Sequence, residues 1–116
     1  MTIPDKRSEE QIALDIIIAD CHKTAIDKGW WDEPREPGTC IALMHSELSE
    51  AIEALREGTP TDKHCPEFLN VEVEFADVLI RIFDFCEKYK YDVSGALFAK
   101  MAFNKTRSHK HGGKEF

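Results

Sequence analysis

Two short acidic repeats are the parts of this chain best suited to chemistry. In HSELSEAIEALR, from His45 to Arg56, Glu47 and Glu50 lie three residues apart. In VEVEFADVLIRIFDF, Glu74 and Asp77 repeat that spacing. On a helix it projects both side chains from one face, about 60° apart around the axis. Both pairs are set into apolar surroundings. Cys40, Leu43, Met44, Leu48, Ala51 and Leu55 surround or adjoin Glu47, with Glu50 at the edge of the arc, while Val71, Phe75, Val78, Leu79, Ile82 and Phe85 form the arc that Glu74 and Asp77 flank. A carboxylate aimed at a core is costly unless something cationic meets it. Two such helices packed together bring four carboxylates to one point, which is a site for a hard divalent cation.

Four oxygen donors without imidazole suit Mg²⁺, with Mn²⁺ as a possible substitute. Di-iron bundles need Glu-x-x-His pairs, and neither stretch contains one. Mg²⁺ usually keeps several waters and shares its shell with substrate phosphates, so cations nearby gain meaning. Arg81, one turn beyond Asp77, can pair with the acids or with a ligand anion. Lys100, Asn104 and Arg107 recur at i, i+4 and i+7 and make one polar stripe. The ending SHKHGGKEF, which contains Lys114, reads by spacing as a frayed basic tail. Its glycines equally allow the backbone to approach a phosphate. Trp30 and Trp31 are adjacent, so one of them is expected to line a groove, as a hydrophobic plug or as a stacking surface for a nucleobase. One E-x-x-E alone carries little information and often marks a solvated helix face. Two of them, both sunk into apolar arcs, are harder to obtain by accident.

The elements that must position these residues are helices. Ser8 and Gln11 resemble a capping box opening a helix to about Lys28, with a seam of Leu14, Ile17, Ile18, Cys21 and Ala25. Gly29 ends it, and two prolines between Trp30 and Gly38 prevent its continuation. Thr39 is the expected cap of a second helix that stops at Gly58. After the turn-forming GTPTDKHCP, a third helix is expected from about Glu67 to Lys90. Asp92 caps a fourth, from Val93 to about Lys105, with Leu97 and Met101 as its seam. No strand alternation of any length occurs. The expected fold is all-α, a four-helix bundle with two long central helices. Its apolar arcs are wider than one neighbour can cover, which predicts a dimer or larger assembly.

Bulk properties narrow the function. At 116 residues the chain is expected to be one domain, 1–116, with a loose leader over 1–7 and a basic tail over 106–116. A formal charge of −7 argues against a partner that is a nucleic-acid polymer. No apolar run approaches the roughly 20 residues needed to span a bilayer, so no membrane partner is expected. MTIPDKRSEEQ lacks the pattern of a signal peptide, and a cytoplasmic location is expected. Cys21, Cys40, Cys65 and Cys86 form no C-x-x-C pair, so they read as reduced, packed thiols rather than a zinc site.

With these residues in hand, the chain resembles the MazG-like branch of the all-α nucleoside triphosphate pyrophosphohydrolases. That family's mark is E-x-x-E followed, after a variable connection, by E-x-x-D, here Glu47-Leu-Ser-Glu50 and Glu74-Phe-Ala-Asp77. KGWWD, LMHSELSEAIEALR, EFADVLIRIFDF and KMAFNKTRSHKHGGK extend the similarity over most of the chain. The resemblance implies Mg²⁺-dependent hydrolysis of a nucleoside triphosphate, ordinary or modified, to the monophosphate and pyrophosphate. Glu47, Glu50, Glu74 and Asp77 would hold the metal, and Glu47 would also orient or deprotonate the attacking water. Lys100, Asn104, Arg107 and Lys114 become phosphate-binding candidates. His22, Trp30 and Trp31 become candidates for the base pocket. A homodimer or homotetramer is implied, with the base pocket borrowing from a neighbouring subunit. Many relatives begin the first motif with two consecutive acids, whereas Ser46 precedes Glu47 here. The alternative function that this departure supports is a catalytically weak nucleotide-binding or regulatory bundle.

Overall fold

The computed structural model describes residues 3–107. Its order is α1 (Glu9–Asp27), α2 (Pro37–Arg56), α3 (Asn70–Lys88) and α4 (Val93–Thr106). Among the described residues the only strand-like feature is a one-pair antiparallel bridge between Thr61 and Leu69. None of the helices is long and apolar enough to cross a membrane.

The helix ends follow from local chemistry. Ser8 Oγ accepts from the Gln11 backbone N–H at 3.1 Å and opens α1 with two acids in its first turn, Glu9 and Glu10. Gly29, at φ +86°, turns the chain so that the Trp30 N–H reaches the Ala25 carbonyl at 3.0 Å. That turn aims the two indoles differently. The second helix begins earlier than Thr39. Pro37 occupies its first turn, where its missing N–H costs nothing, and Glu36 accepts from the Thr39 N–H at 3.0 Å.

The third helix begins later than Glu67, because the residues before it are spent in a tight loop. The Asp62 N–H donates to the Phe68 carbonyl at 2.9 Å, and the Asn70 N–H to the Pro60 carbonyl at 2.7 Å. Asp62, although ionisable, is buried; its Oδ2 accepts from the backbone N–H groups of His64 and Cys65. Glu72 then reaches back to the Leu69 N–H at 2.8 Å and starts α3. Asp92 caps α4 by accepting from the Gly95 N–H at 3.0 Å.

α2 and α3 make the most extensive pairing, and α1 packs across α3. The α2–α3 pair is antiparallel: Ala51 and Ala54 meet Val71, whereas Glu47 reaches forward to Arg81. Small side chains at this seam let the two backbones come close. α4 is anchored mainly to α1. Ser94, 1 % exposed, donates to Asp15 and accepts from Gln11 Nε2 at 3.3 Å. The expected α4 seam is not a core in this chain, since Leu97 and Met101 are both 45 % exposed. The broad apolar arcs are similarly half used. Ile18, Cys40, Ala51, Val71 and Val78 are buried, but Ile17, Leu48, Ile52, Leu55, Phe75 and Leu79 remain open. Of the thiols, Cys40 is buried, Cys21 and Cys86 are half-buried, and Cys65 is exposed on its loop.

The seam makes a direct prediction. Ala51→Leu forces extra volume between α2 and α3 and should destabilise the fold by about 1–3 kcal/mol, read as a lowered urea midpoint. An unchanged midpoint would show that the helices are not held at the spacing seen here.

Candidate functional site

The antiparallel seam brings the two acidic repeats together. Glu47, Glu50 and Glu74 each offer a carboxylate oxygen, and these oxygens all lie within 4.8 Å of one another. Glu47 is buried, Glu74 is half-buried and Glu50 is exposed, in keeping with a cluster set at the edge of the apolar arc. Asp77 does not join this three-way cluster. It is half-buried one turn along α3 and, with Glu47, lines the neighbouring cleft.

The electrostatics are those of crowded anions. Glu74 Oε2 is buried and has no hydrogen-bond partner among the described residues. Burial, and then Glu50 and Glu47 alongside, push the Glu74 carboxyl up to about 7. Protonated, it donates to a neighbouring carboxylate; ionised, it faces two like charges. Burial also raises the Asp77 carboxyl, reinforced by Glu47 and partly offset by Arg81. Among the described residues, Glu47 is the one acid of this group with a cationic partner, accepting from Arg81 Nε at 2.8 Å. The remaining donor set suits a hard divalent ion: it is all oxygen, converges from two helices, and includes one buried oxygen that nothing satisfies.

Beside the cluster opens a cleft of about 410 Å³ between α1 and α3. Glu47, Asp77 and Arg81 form one end; Trp30, Ala25 and Ile80 supply apolar wall; Asp20, Asp84 and Lys28 add charge. Trp30 is 45 % exposed, with the guanidinium carbons of Arg35 and Arg81 each 5.0 Å from its ring centre. Trp31 turns the other way. Its Nε1–H donates to Asp84 Oδ1 at 2.8 Å, and His22 Nδ1 meets the same oxygen at 2.7 Å. Trp31 packs edge-on against His22 and Tyr89. Of the base-pocket candidates, then, Trp30 faces the cleft, while His22 and Trp31 hold Asp84 in its wall.

The phosphate-binding candidates stand apart. Lys100, Asn104 and Arg107 are exposed on or just beyond α4 and do not line the cleft; Lys100 and Arg107 lie over Phe103 instead. Lys114 lies outside the described residues. Ser46, the residue before Glu47, donates from its hydroxyl back to the Ala42 carbonyl at 3.3 Å.

Sequence reasoning passed over Asp84, Asp20 and Asp62. Asp84 had a usable signal, since Asp77, Arg81 and Asp84 recur at i, i+4 and i+7. Asp62 had none, because its burial depends on the loop closing around it. Comparison of the chain with protein families, with curated proteins and with solved structures gives no match in any of the three.

The raised Glu74 carboxyl has a defined sign. Because its folded value lies above the ordinary carboxylate range, the folded state holds its proton longer than the unfolded chain. Stability of the metal-free protein should therefore fall as pH rises from about 4.5 to about 7, and Glu74→Gln should abolish that part of the fall. Urea midpoints at pH 5 and pH 8 check it; a wild-type protein and a Gln variant with parallel pH profiles would contradict the crowding described.

Proposed function

We propose that this chain hydrolyses a nucleoside triphosphate to the monophosphate and pyrophosphate with the help of Mg²⁺. One observation carries the reading: three carboxylates from two helices converge, one of them, Glu74, with a buried oxygen that has no partner among the described residues, beside a cleft lined by the Trp30 indole. Glu47, Glu50 and Glu74 would hold the cation, with Asp77 completing its surroundings from the cleft side. When bound, the cation supplies charge neutralisation at the phosphate oxygens and lowers the proton affinity of water.

The chain's own residues supply the rest. Trp30 offers the base a flat apolar surface, and Ala25 and Ile80 exclude water beside it. Glu47 is the member of the three-carboxylate cluster that also lines the cleft, and in this reading it orients an attacking water and accepts its proton. Before a cation binds, Arg81 holds the Glu47 carboxylate. Phosphate charge beyond the acid cluster needs further cations. Lys100 and Arg107 can provide them from a second copy of the chain, with Asn104 adding a neutral hydrogen-bond donor.

A homodimer or homotetramer belongs to this reading. Ile41, Leu48, Ile52, Leu55 and Phe75 leave a large apolar surface on α2 and α3 that a second copy would cover. The same reading places the protein in the cytoplasm, where its substrate is found. A second reading, a nucleotide-binding bundle of weak activity, draws on Ser46, which offers no carboxylate where another acid would strengthen the cluster.

The decisive experiment is a panel of ordinary and modified nucleoside triphosphates with pyrophosphate detection. Release should require Mg²⁺ or Mn²⁺ and should fall by roughly 100-fold or more in Glu47→Gln and in Asp77→Asn, both checked for helicity. Folded variants that cleave normally would refute the enzyme reading; nucleotide binding without release in the wild type would favour the second. Sedimentation should give at least twice the mass of one chain, and Ile52→Glu or Leu55→Glu should lower it.

A further inference from the structure

Arg81 stands where two kinds of ligand would act on it in opposite directions. Its Nε donates to Glu47, and its guanidinium lies beside the Trp30 ring at the end of the cleft. Its terminal nitrogens, Nη1 and Nη2, make no hydrogen bond among the described residues, although the side chain is only 27 % exposed. A guanidinium has five N–H donors, and the paired terminal ones are those that best grip a phosphate. Here the single Nε contact is spent on Glu47, and the two terminal nitrogens are left without a partner among the described residues, on a side chain that lines the cleft.

Glu47 is also the most buried member of the acid cluster. A divalent cation there would withdraw charge from the oxygen that Arg81 uses and would repel the guanidinium. We infer that Arg81 is an exchangeable counter-ion, neutralising Glu47 until a divalent cation takes that role and then turning its free fork to the polyphosphate that follows. Arg81 thus opposes the metal alone and assists metal and polyphosphate together. The two ligands bind better jointly than singly, through a residue of this chain rather than only through each other. The inference rests on the divalent-cation part of the proposed function and not on hydrolysis.

The test measures binding without turnover. Mn²⁺ alone is titrated into wild type, Arg81→Gln and Arg81→Lys, with free Mn²⁺ read by electron paramagnetic resonance. Magnesium pyrophosphate is then titrated by calorimetry. Arg81→Gln should bind Mn²⁺ roughly 3- to 10-fold more tightly, having lost a competing charge, and magnesium pyrophosphate roughly 10-fold more weakly. Arg81→Lys keeps the charge but not the fork; its Mn²⁺ affinity should stay near wild type while pyrophosphate binding weakens. Weaker or unchanged Mn²⁺ binding in Arg81→Gln would overturn the inference, as would unaltered pyrophosphate binding. Should Arg81→Gln not fold, the wild type still decides: Mg²⁺ alone should shift the arginine Nε–H resonance of Arg81 in NMR spectra, and a resonance that does not move overturns it. Opposite changes in a protein that cleaves no nucleotide would sustain Arg81's role and remove the enzyme reading. Cleavage with Arg81→Gln indistinguishable from wild type would do the reverse.

Discussion

Three carboxylates held within 4.8 Å by two packed helices set the terms for the rest of this structure. At an effective dielectric near 20, two unit charges at that separation repel by about 3.5 kcal/mol. Solvent at the exposed Glu50 reduces the figure, yet even half of it, about 1.7 kcal/mol, is comparable with the roughly 1.5–3 kcal/mol gained by burying a residue such as Val71. The seam of Ala51, Ala54 and Val71 therefore cannot hold three bare carboxylates together without cost. Two features relieve the strain. Glu47 takes a guanidinium, and burial together with Glu50 and Glu47 pushes the Glu74 carboxyl up to about 7, which favours its neutral form. Both are substitutes for positive charge. A divalent ion would replace them with one species.

Much of this was legible in the sequence, because helical faces follow from spacing. Ser8 and Asp92 cap where the pattern placed them, and Glu47, read inside the apolar sector, is buried while Glu50, read at its edge, is exposed. The less accurate boundaries have local causes. Pro37 starts α2 ahead of Thr39, and the Thr61–Leu69 bridge delays α3 to Asn70. Periodicity says which face a residue occupies but not where its tip ends. Glu74 and Asp77 share a flank of α3, yet only Glu74 converges with the α2 acids. Nor does periodicity report pairings between helices. His22, Trp31 and Asp84 come from three separate stretches and meet at one oxygen, and nothing in their spacing announces it.

The unfinished packing is the other consequence of the pattern. Each helix carries an apolar arc broader than a single neighbour covers, and the three-helix seam uses only one side of each. α4 shows this most clearly, since its buried contact is a polar one through Ser94 while its Leu97 and Met101 face outward. A polar anchor with an exposed apolar stripe is poor design for an isolated bundle. It is good design for a helix whose stripe packs elsewhere. The positive charge of Lys100 and Arg107 travels with that stripe, so what covers it would receive cations as well.

The cleft brings the acid cluster and the Trp30 indole together through Arg81. Trp30 reaches it because Gly29 turns the chain at the end of α1, and Trp31 is drawn inward by its hydrogen bond to Asp84. The indole face that remains is flanked by two guanidiniums, Arg35 from the loop and Arg81 from α3. An aromatic ligand stacking there would have to share the ring with them. Arg35 is on the loop and can yield; Arg81 is tied to Glu47 and can yield only when Glu47 is otherwise neutralised. Occupancy of the acid corner and access to the indole are therefore linked by geometry, and a ligand carrying both a base and metal-bound phosphates is the kind that satisfies the two ends at once.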